Sequence, residues 1–112
     1  MCGIVGLFGN VDNNLLKEMS HLISHRGPDG RGYYFDKGIA LGHRRLSIID
    51  LKGGSQPMQD QEGKFVITFN GEIYNYLNLK FHLEGKGIKF STNSDTEVIL
   101  NMYKIYGKNC LN

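Results

Sequence analysis

The most informative candidate for chemistry is the cysteine that directly follows the initiator methionine. Removal of Met1 from before a small side chain would leave Cys2 with a thiol and a free α-amine on one residue. An α-amine ordinarily titrates near about pH 8 and a thiol near about pH 8.5, so proton transfer between them generates a thiolate without a histidine. The alternative is that Cys2 is only a small apolar residue at the start of a strand.

Arg45 is a candidate anion-binding residue. It belongs to the run His43-Arg44-Arg45, just before an apolar segment. A guanidinium that opens a strand, as we expect for Arg45, could bind a small carboxylate through two parallel hydrogen bonds. The alternative is a solvated arginine or an ion pair with Asp29 or Asp50.

Polar groups for a substrate amide follow the most apolar segment of the chain. The side-chain N–H of Asn70 and the backbone N–H of Gly71 would form an oxyanion hole, and Glu72 would then meet a cation. The alternative is an ordinary turn, because Asn-Gly is a common turn dipeptide. Asp95 is a second acid for an ammonium group or, alternatively, only a helix first-turn residue.

These groups together would suit glutamine, with a thiolate for its amide carbon and charged partners for its carboxylate and ammonium. Two other kinds of site are disfavoured. His25 and His43 lack the spacing of a metal site, so we predict no metal. Gly53-Gly54-Ser55 lacks the ending of a phosphate-binding loop. The pattern alone supports only an α+β domain with a candidate N-terminal nucleophile.

The hydrophobic pattern predicts the elements that must position these residues. In chain order they are a strand over 2–8, a helix from a cap at Asp12 or Asn13 that ends before Pro28, strands over 32–35 and 39–42 around a turn at 36–38, strands over 46–51 and 64–69 separated by a loop over 52–61, a helix over 75–84, and a helix from Ser94 to Gly107. This order favours an antiparallel α+β layering.

Several details of these elements are specific enough to test. The first helix should bury an apolar stripe, namely Leu15, Leu16, Met19, Leu22 and Ile23. The strand over 64–69 is so uniformly apolar that both its faces should be covered. Asn75 should cap the second helix and Gly85 end it, while Ser94 and Glu97 should form a capping box on the third.

Composition limits the class of protein. The chain has 112 residues, 40% of them hydrophobic, and a net charge of +2, which fits one domain and disfavours nucleic-acid binding. It lacks a run long enough to span a membrane and an export signal, so we expect a cytoplasmic protein. Cys2 and Cys110 are then expected to be two thiols rather than a disulfide.

Five segments together resemble the N-terminal glutaminase domain of the glutamine-hydrolysing asparagine synthetases. They are MCGIVG at the N-terminus, HRGPD over 25–29, GHRRLSIIDL over 42–51, NGEIYN over 70–75 and SDTE over 94–97. The first segment alone would fit any class II glutamine amidotransferase. The other motifs narrow the resemblance to the asparagine synthetase type and its close relatives.

The resemblance implies a fold, an activity and roles for six residues. The fold is the αββα sandwich of the N-terminal nucleophile hydrolases, and the activity is hydrolysis of L-glutamine through a thioester on Cys2, without a cofactor. By the same resemblance, Asn70 and Gly71 form the oxyanion hole. Arg45 binds the substrate carboxylate, and Glu72 and Asp95 surround its ammonium group.

The resemblance also implies that residues 1–112 are the N-terminal part of a glutamine amidotransferase type-2 domain. We therefore expect a sandwich that is incomplete at its C-terminal end and prone to aggregate alone. The synthetase domain, which would bind Mg-ATP and use the ammonia to make asparagine, is expected as a missing partner, as is a homodimer of the full-length protein. Two alternatives stay open: a relative with another ammonia acceptor, and a catalytically inactive fragment.

Overall fold

The computed structural model describes residues 2–46 and 53–112, which form two compact units. The first unit contains the described residues up to Leu46, together with Ser55–Pro57 and Thr68–Gly71. The second contains Gly53 and Gly54, Met58–Ile67 and Glu72–Asn112. The predicted strand over 46–51 lies outside the described residues except for Leu46, which has no regular secondary structure.

The first unit is built on a three-stranded antiparallel sheet. Its strands are β1 (Gly3–Phe8), β2 (Gly30–Asp36) and β3 (Ile39–Arg45), in the order β1-β3-β2. A tight turn joins β2 to β3, with Gly38 in the left-handed region at φ 79°. The predicted first strand and hairpin are confirmed, and both hairpin strands are longer than expected. The central position of β3 places its end beside the N-terminus of β1.

Helix α1 (Asn13–Leu22) packs on this sheet. The Asp12 carboxylate caps it by accepting from the N–H groups of Asn14 and Leu15, as predicted. The predicted apolar stripe is wrong at two positions, because Leu15 and Leu22 are exposed. The buried positions of α1 are Leu16, as predicted, and Ser20, which the apolar pattern did not include.

Ser20 is buried because β3 supplies a partner for its polar atoms. The Arg44 Nε donates to both the carbonyl oxygen and the hydroxyl of Ser20, at 3.0 Å each. Arg44 is itself buried, so this charged group is enclosed with its acceptors. After α1 a single 3-10 turn (Ser24–Arg26) ends before Pro28, as expected.

The second unit contains two helices and a two-stranded antiparallel sheet. Its elements are α2 (Tyr76–Gly85), α3 (Asp95–Tyr106), β4 (Met58–Gln59), β5 (Val66–Ile67) and a C-terminal 3-10 helix (Gly107–Leu111). The predicted antiparallel α+β class is therefore confirmed, since the described strands of both units pair antiparallel as ladders. No helix in the described ranges has the length and apolar character needed to cross a membrane.

The strand predicted over 64–69 is mostly wrong. Only Val66 and Ile67 join a ladder, and residues 65–69 are half-buried rather than covered on both faces. The N–H of Phe65 binds the Asp60 carboxylate and that of Phe69 binds the Gln56 side chain, so neither is used for strand pairing. The partner strand β4 in turn lies inside the predicted loop over 52–61.

The helices of the second unit begin differently from the prediction. Helix α2 follows Asn75, but the Asn75 side chain makes no capping hydrogen bond because its backbone (φ −97°, ψ 23°) is not extended. Helix α3 follows Ser94, whose hydroxyl accepts from the Thr96 N–H. Glu97 does not complete the capping box, since its carboxylate accepts from Ser91 and Thr92 instead. The predicted stops at Gly85 and Gly107 are confirmed to within a residue.

Asp60 connects the β4–β5 loop with α3. Its carboxylate accepts from the Phe65 N–H at 2.8 Å and forms an ion pair with Lys104 at 3.1 Å. Burial by itself would raise the pKa of the Asp60 carboxyl, but the Phe65 N–H, Lys104 and the Lys64 N–H together outweigh burial and leave that pKa below its ordinary value. The Phe65 ring also packs edge-on against Tyr103, with centroids 5.6 Å apart.

Candidate active site

Cys2 lies at the end of the β1–β3 ladder. The ladder pairs Gly3 with Arg44, so Cys2 comes one residue before the first pair and Arg45 one residue after it. The Cys2 thiol is half-buried against the next residue of the chain, Leu46. Its Sγ accepts from the Leu46 N–H at 3.2 Å and is 3.5 Å from the Leu46 carbonyl oxygen. The antiparallel register therefore places Cys2, the candidate nucleophile, next to the backbone that carries Arg45, the candidate anion-binding residue.

Two further contacts fix the backbone next to Cys2. The Arg26 Nε donates to the Cys2 carbonyl oxygen at 3.3 Å. Gly3 is buried, and a Cβ at this position would lie 2.7 Å from the Cδ1 of Ile23. A glycine at residue 3 thus allows the segment after α1 to approach the start of β1 closely.

Arg45 is half-buried at the last position of β3. It pairs with Gly30 of β2, and its carbonyl oxygen accepts from the Asp29 N–H at 2.9 Å. Arg45 thus ends a strand rather than opening one, and the segment that begins β2 holds its backbone. Its neighbour Arg44 points to the opposite face of the sheet, where it binds Ser20. Of the two arginines, Arg45 is therefore the one on the same face as His43.

His43 is buried, which was not predicted from the sequence. From its spacing to His25 it was judged only as a metal ligand. Its side chain is 1% exposed, and its Nδ1 lies 2.9 Å from the Thr68 hydroxyl. Burial, together with the nearby Arg45 guanidinium, lowers the pKa of His43 to about 4. The imidazole is therefore neutral at physiological pH. The signal that was missed is that strand alternation places His43 on an apolar face of β3, the same face as Ile39 and Leu41.

Asn70 and Gly71 belong to the first unit and are exposed. The chain continues from them through a bend to α2, so this Asn-Gly pair is not the turn of a β-hairpin. The two preceding residues are held by side chains, Thr68 by His43 and Phe69 by Gln56. Gly71 lies against the Phe69 ring, which a Cβ would approach to 2.8 Å.

Glu72 and Asp95 belong to the second unit. Glu72 is exposed, whereas Asp95 is buried at the first position of α3. The Asp95 Oδ2 accepts from the Ile73 N–H at 3.0 Å, which ties α3 to the residue that follows Glu72. Asp95 is therefore more than a first-turn acid that interacts with the helix dipole.

The remaining reactive groups concern the two thiols and a possible metal site. Cys2 and Cys110 are both free thiols. Within residues 2–46 and 53–112, no three His, Cys, Asp or Glu side chains are grouped so that they would hold a metal ion. Met1, whose removal the N-terminal mechanism needs, and Asp50 lie outside the described residues.

Comparison with known proteins gives one consistent result. A family model described as a glutamine amidotransferase domain matches residues 1–112. Over 113 aligned residues, the chain is 47% identical to asparagine synthetase [glutamine-hydrolyzing] 1 of Bacillus subtilis (strain 168), with 95% of this chain and 18% of that protein covered. It is 42% identical to asparagine synthetase [glutamine-hydrolyzing] 2 of Oryza sativa subsp. japonica and to the corresponding enzyme of Zea mays, each with 96% of this chain and 19% of the relative covered.

The chain thus spans about a fifth of the length of the curated relatives that it matches. The resemblance inferred from the five motifs is confirmed, because the family match extends over all residues of the chain and the relatives that it matches are glutamine-hydrolysing asparagine synthetases. The chain belongs to the family of glutamine amidotransferase domains.

Proposed function

We propose that this domain hydrolyses L-glutamine to glutamate and ammonia, with Cys2 as its N-terminal nucleophile after Met1 is removed. The observation that carries the proposal is the contact of the Cys2 thiol with the backbone of Leu46, directly after Arg45. A nucleophile and a cationic side chain at one strand end, in a chain of this family, are what an amino-acid amide substrate requires.

The charged residues divide between the two ends of the substrate's amino-acid group. Arg45 would bind the α-carboxylate through its guanidinium. Glu72 and Asp95 would balance the α-ammonium. The supporting feature for Asp95 is its burial, because a buried carboxylate that binds a backbone N–H next to Glu72 keeps a defined orientation.

The reaction needs only groups that the mature chain would carry. The α-amine of Cys2 takes the thiol proton, and the thiolate attacks the side-chain amide carbon of glutamine. Asn70 and Gly71 donate to the oxyanion of the tetrahedral intermediate. The intermediate then expels ammonia, which leaves with the proton held by the amine. Water hydrolyses the resulting thioester, which releases glutamate and restores the thiol.

In the full-length protein the ammonia would be used for ATP-dependent conversion of aspartate to asparagine. This proposal is supported by the names of the relatives, which are glutamine-hydrolysing asparagine synthetases. The glutaminase step would need no cofactor, whereas Mg-ATP would be bound by the synthetase domain. We further propose a cytoplasmic location and a homodimer for the full-length protein.

The decisive experiment compares two thiol variants. Cys2→Ala should abolish release of glutamate and ammonia from glutamine, whereas Cys110→Ala should retain wild-type rates. Mass spectrometry of the N-terminus should find mature protein that starts at Cys2, and a diazoketone analogue of glutamine should label Cys2 alone. Equal hydrolysis by Cys2→Ala, or active protein that retains Met1, would overturn the proposal.

A further inference from the structure

His43 makes one specific contact that the proposed chemistry does not use. Its Nδ1 is 2.9 Å from the Thr68 hydroxyl, while its Nε2 is buried and has no hydrogen-bond partner within the described part of the chain. Burial of an imidazole with one unpartnered nitrogen costs free energy of folding. The hydrogen bond of the other nitrogen, to the Thr68 hydroxyl, offsets part of that cost. The contact joins β3 to the short segment that leads to Asn70.

The same segment has a second anchor one residue later. The Phe69 N–H donates to the Gln56 Oε1 at 2.5 Å. The Gln56 carbonyl oxygen in turn occupies the space where a Cβ on Gly32 would stand, so this loop lies directly against β2. Thr68 and Phe69 are therefore both held by groups that the three-stranded sheet supports.

These anchors immediately precede the two residues assigned to the oxyanion hole. Arg45 lies two positions after His43 on the same strand, so one rigid element carries both the carboxylate-binding residue and the anchor of the oxyanion segment. We infer that His43 is a positioning residue, which acts through the Thr68 hydroxyl to hold Asn70 and Gly71 at the correct distance from Cys2. This inference rests on the function proposed above.

The charge state of His43 is compatible with this role. The neutral imidazole carries one N–H, which is enough for a single hydrogen bond to a hydroxyl that both donates and accepts. Because the bond joins two neutral side chains, it adds no charge next to Arg45. Loss of the bond would therefore change the position of Asn70 without changing the net charge that the substrate meets.

Two substitutions at Thr68 test the inference. Thr68→Val keeps the shape of the side chain but removes the hydroxyl, whereas Thr68→Ser keeps the hydroxyl. We expect Thr68→Val to lower kcat for glutamine about tenfold with little change in KM, because displacement of an oxyanion donor weakens transition-state binding. Thr68→Ser should stay within about twofold of wild type. Rates are divided by the concentration of Cys2 thiol that the diazoketone labels. A fraction of unfolded protein is therefore not mistaken for a lower kcat.

A second measurement does not depend on turnover. Nuclear magnetic resonance of protein labelled with ¹⁵N at asparagine and glycine should show shifted Asn70 and Gly71 amide signals in Thr68→Val and in His43→Phe, but near wild-type signals in Thr68→Ser. Unchanged Asn70 and Gly71 signals in both disruptive variants, or an equal kcat loss in Thr68→Ser and Thr68→Val, would overturn the inference. Failure of the proposed function is distinguishable from failure of this inference. The function fails if Cys2→Ala hydrolyses glutamine or if the wild type does not. The amide signals of Asn70 and Gly71 decide the positioning role in either case.

Discussion

Acidification should destabilise the protein through His43 in a defined pH range. Burial, and secondly the Arg45 guanidinium, lower the pKa of the folded His43 imidazole from 6.5 to about 4. Between about pH 6.5 and pH 4, His43 is protonated in the unfolded chain but neutral in the folded chain. The stabilisation is therefore complete above about pH 6.5 and is lost as the pH falls through about 4.

The size of the effect follows from the difference between the two pKa values. The full difference corresponds to at most about 3 kcal/mol, of which about 2.5 kcal/mol should be lost by about pH 4.5. Urea denaturation near pH 7.5 and pH 4.5 measures this loss as a change in the free energy of unfolding. His43→Gln, which cannot titrate, should lose about 2.5 kcal/mol less than wild type on the same acidification.

The matched control is His25→Gln, because His25 is exposed and lacks the burial on which the argument for His43 depends. Comparing pH dependence rather than absolute stability removes any cost of the substitution itself. If His43→Gln loses as much stability as wild type between the two pH values, the reasoning from burial is refuted.

Three further substitutions test the packing of each unit. Lys104→Met should destabilise the protein by about 2 kcal/mol in urea titrations, because it leaves the buried Asp60 carboxylate without its cation; Asp60→Asn in the same background should recover part of that loss. Glu97→Ala should cost about 2 kcal/mol, since its carboxylate holds three donors of the preceding loop, and unchanged hydrogen exchange in that loop would contradict this. Gly27→Ala should cost about 1 to 3 kcal/mol by thermal denaturation, because its Cβ would overlap the Arg44 carbonyl group, and a wild-type melting temperature would argue against that contact.

The elements that could be predicted from sequence are those with local causes. The Asp12 cap and the Gly107 stop depend on contacts within a few residues, so pattern and residue type were sufficient. The segment over 64–69 shows the limit, because its apolar character suggests a buried strand. On either side of the two residues that do pair, the N–H groups of Phe65 and Phe69 bind the side chains of Asp60 and Gln56, partners that no periodicity specifies.

The candidate site divides along the same line. Residue types and motifs pointed to Cys2 and Arg45, and the β1–β3 register explains why they are adjacent. The sequence does not indicate that Arg44, rather than the adjacent Arg45, is buried. That depends on Ser20, a polar residue inside the apolar face of α1, which provides two acceptors to Arg44. The role of His43 was hidden for the same reason, since its partner Thr68 is distant in sequence.

The proposed role of Cys2 as an N-terminal nucleophile makes two conflicting demands on the start of the chain. Its α-amine must be free to act as a base, yet chain ends are the segments that fray most readily. Here the Arg26 Nε donates to the carbonyl oxygen of Cys2, and the Leu46 N–H donates to its thiol. The ladder that begins at Gly3 supports both of them. These two contacts order Cys2 through its carbonyl oxygen and its side chain, and neither uses the α-nitrogen that accepts the thiol proton in the proposed reaction.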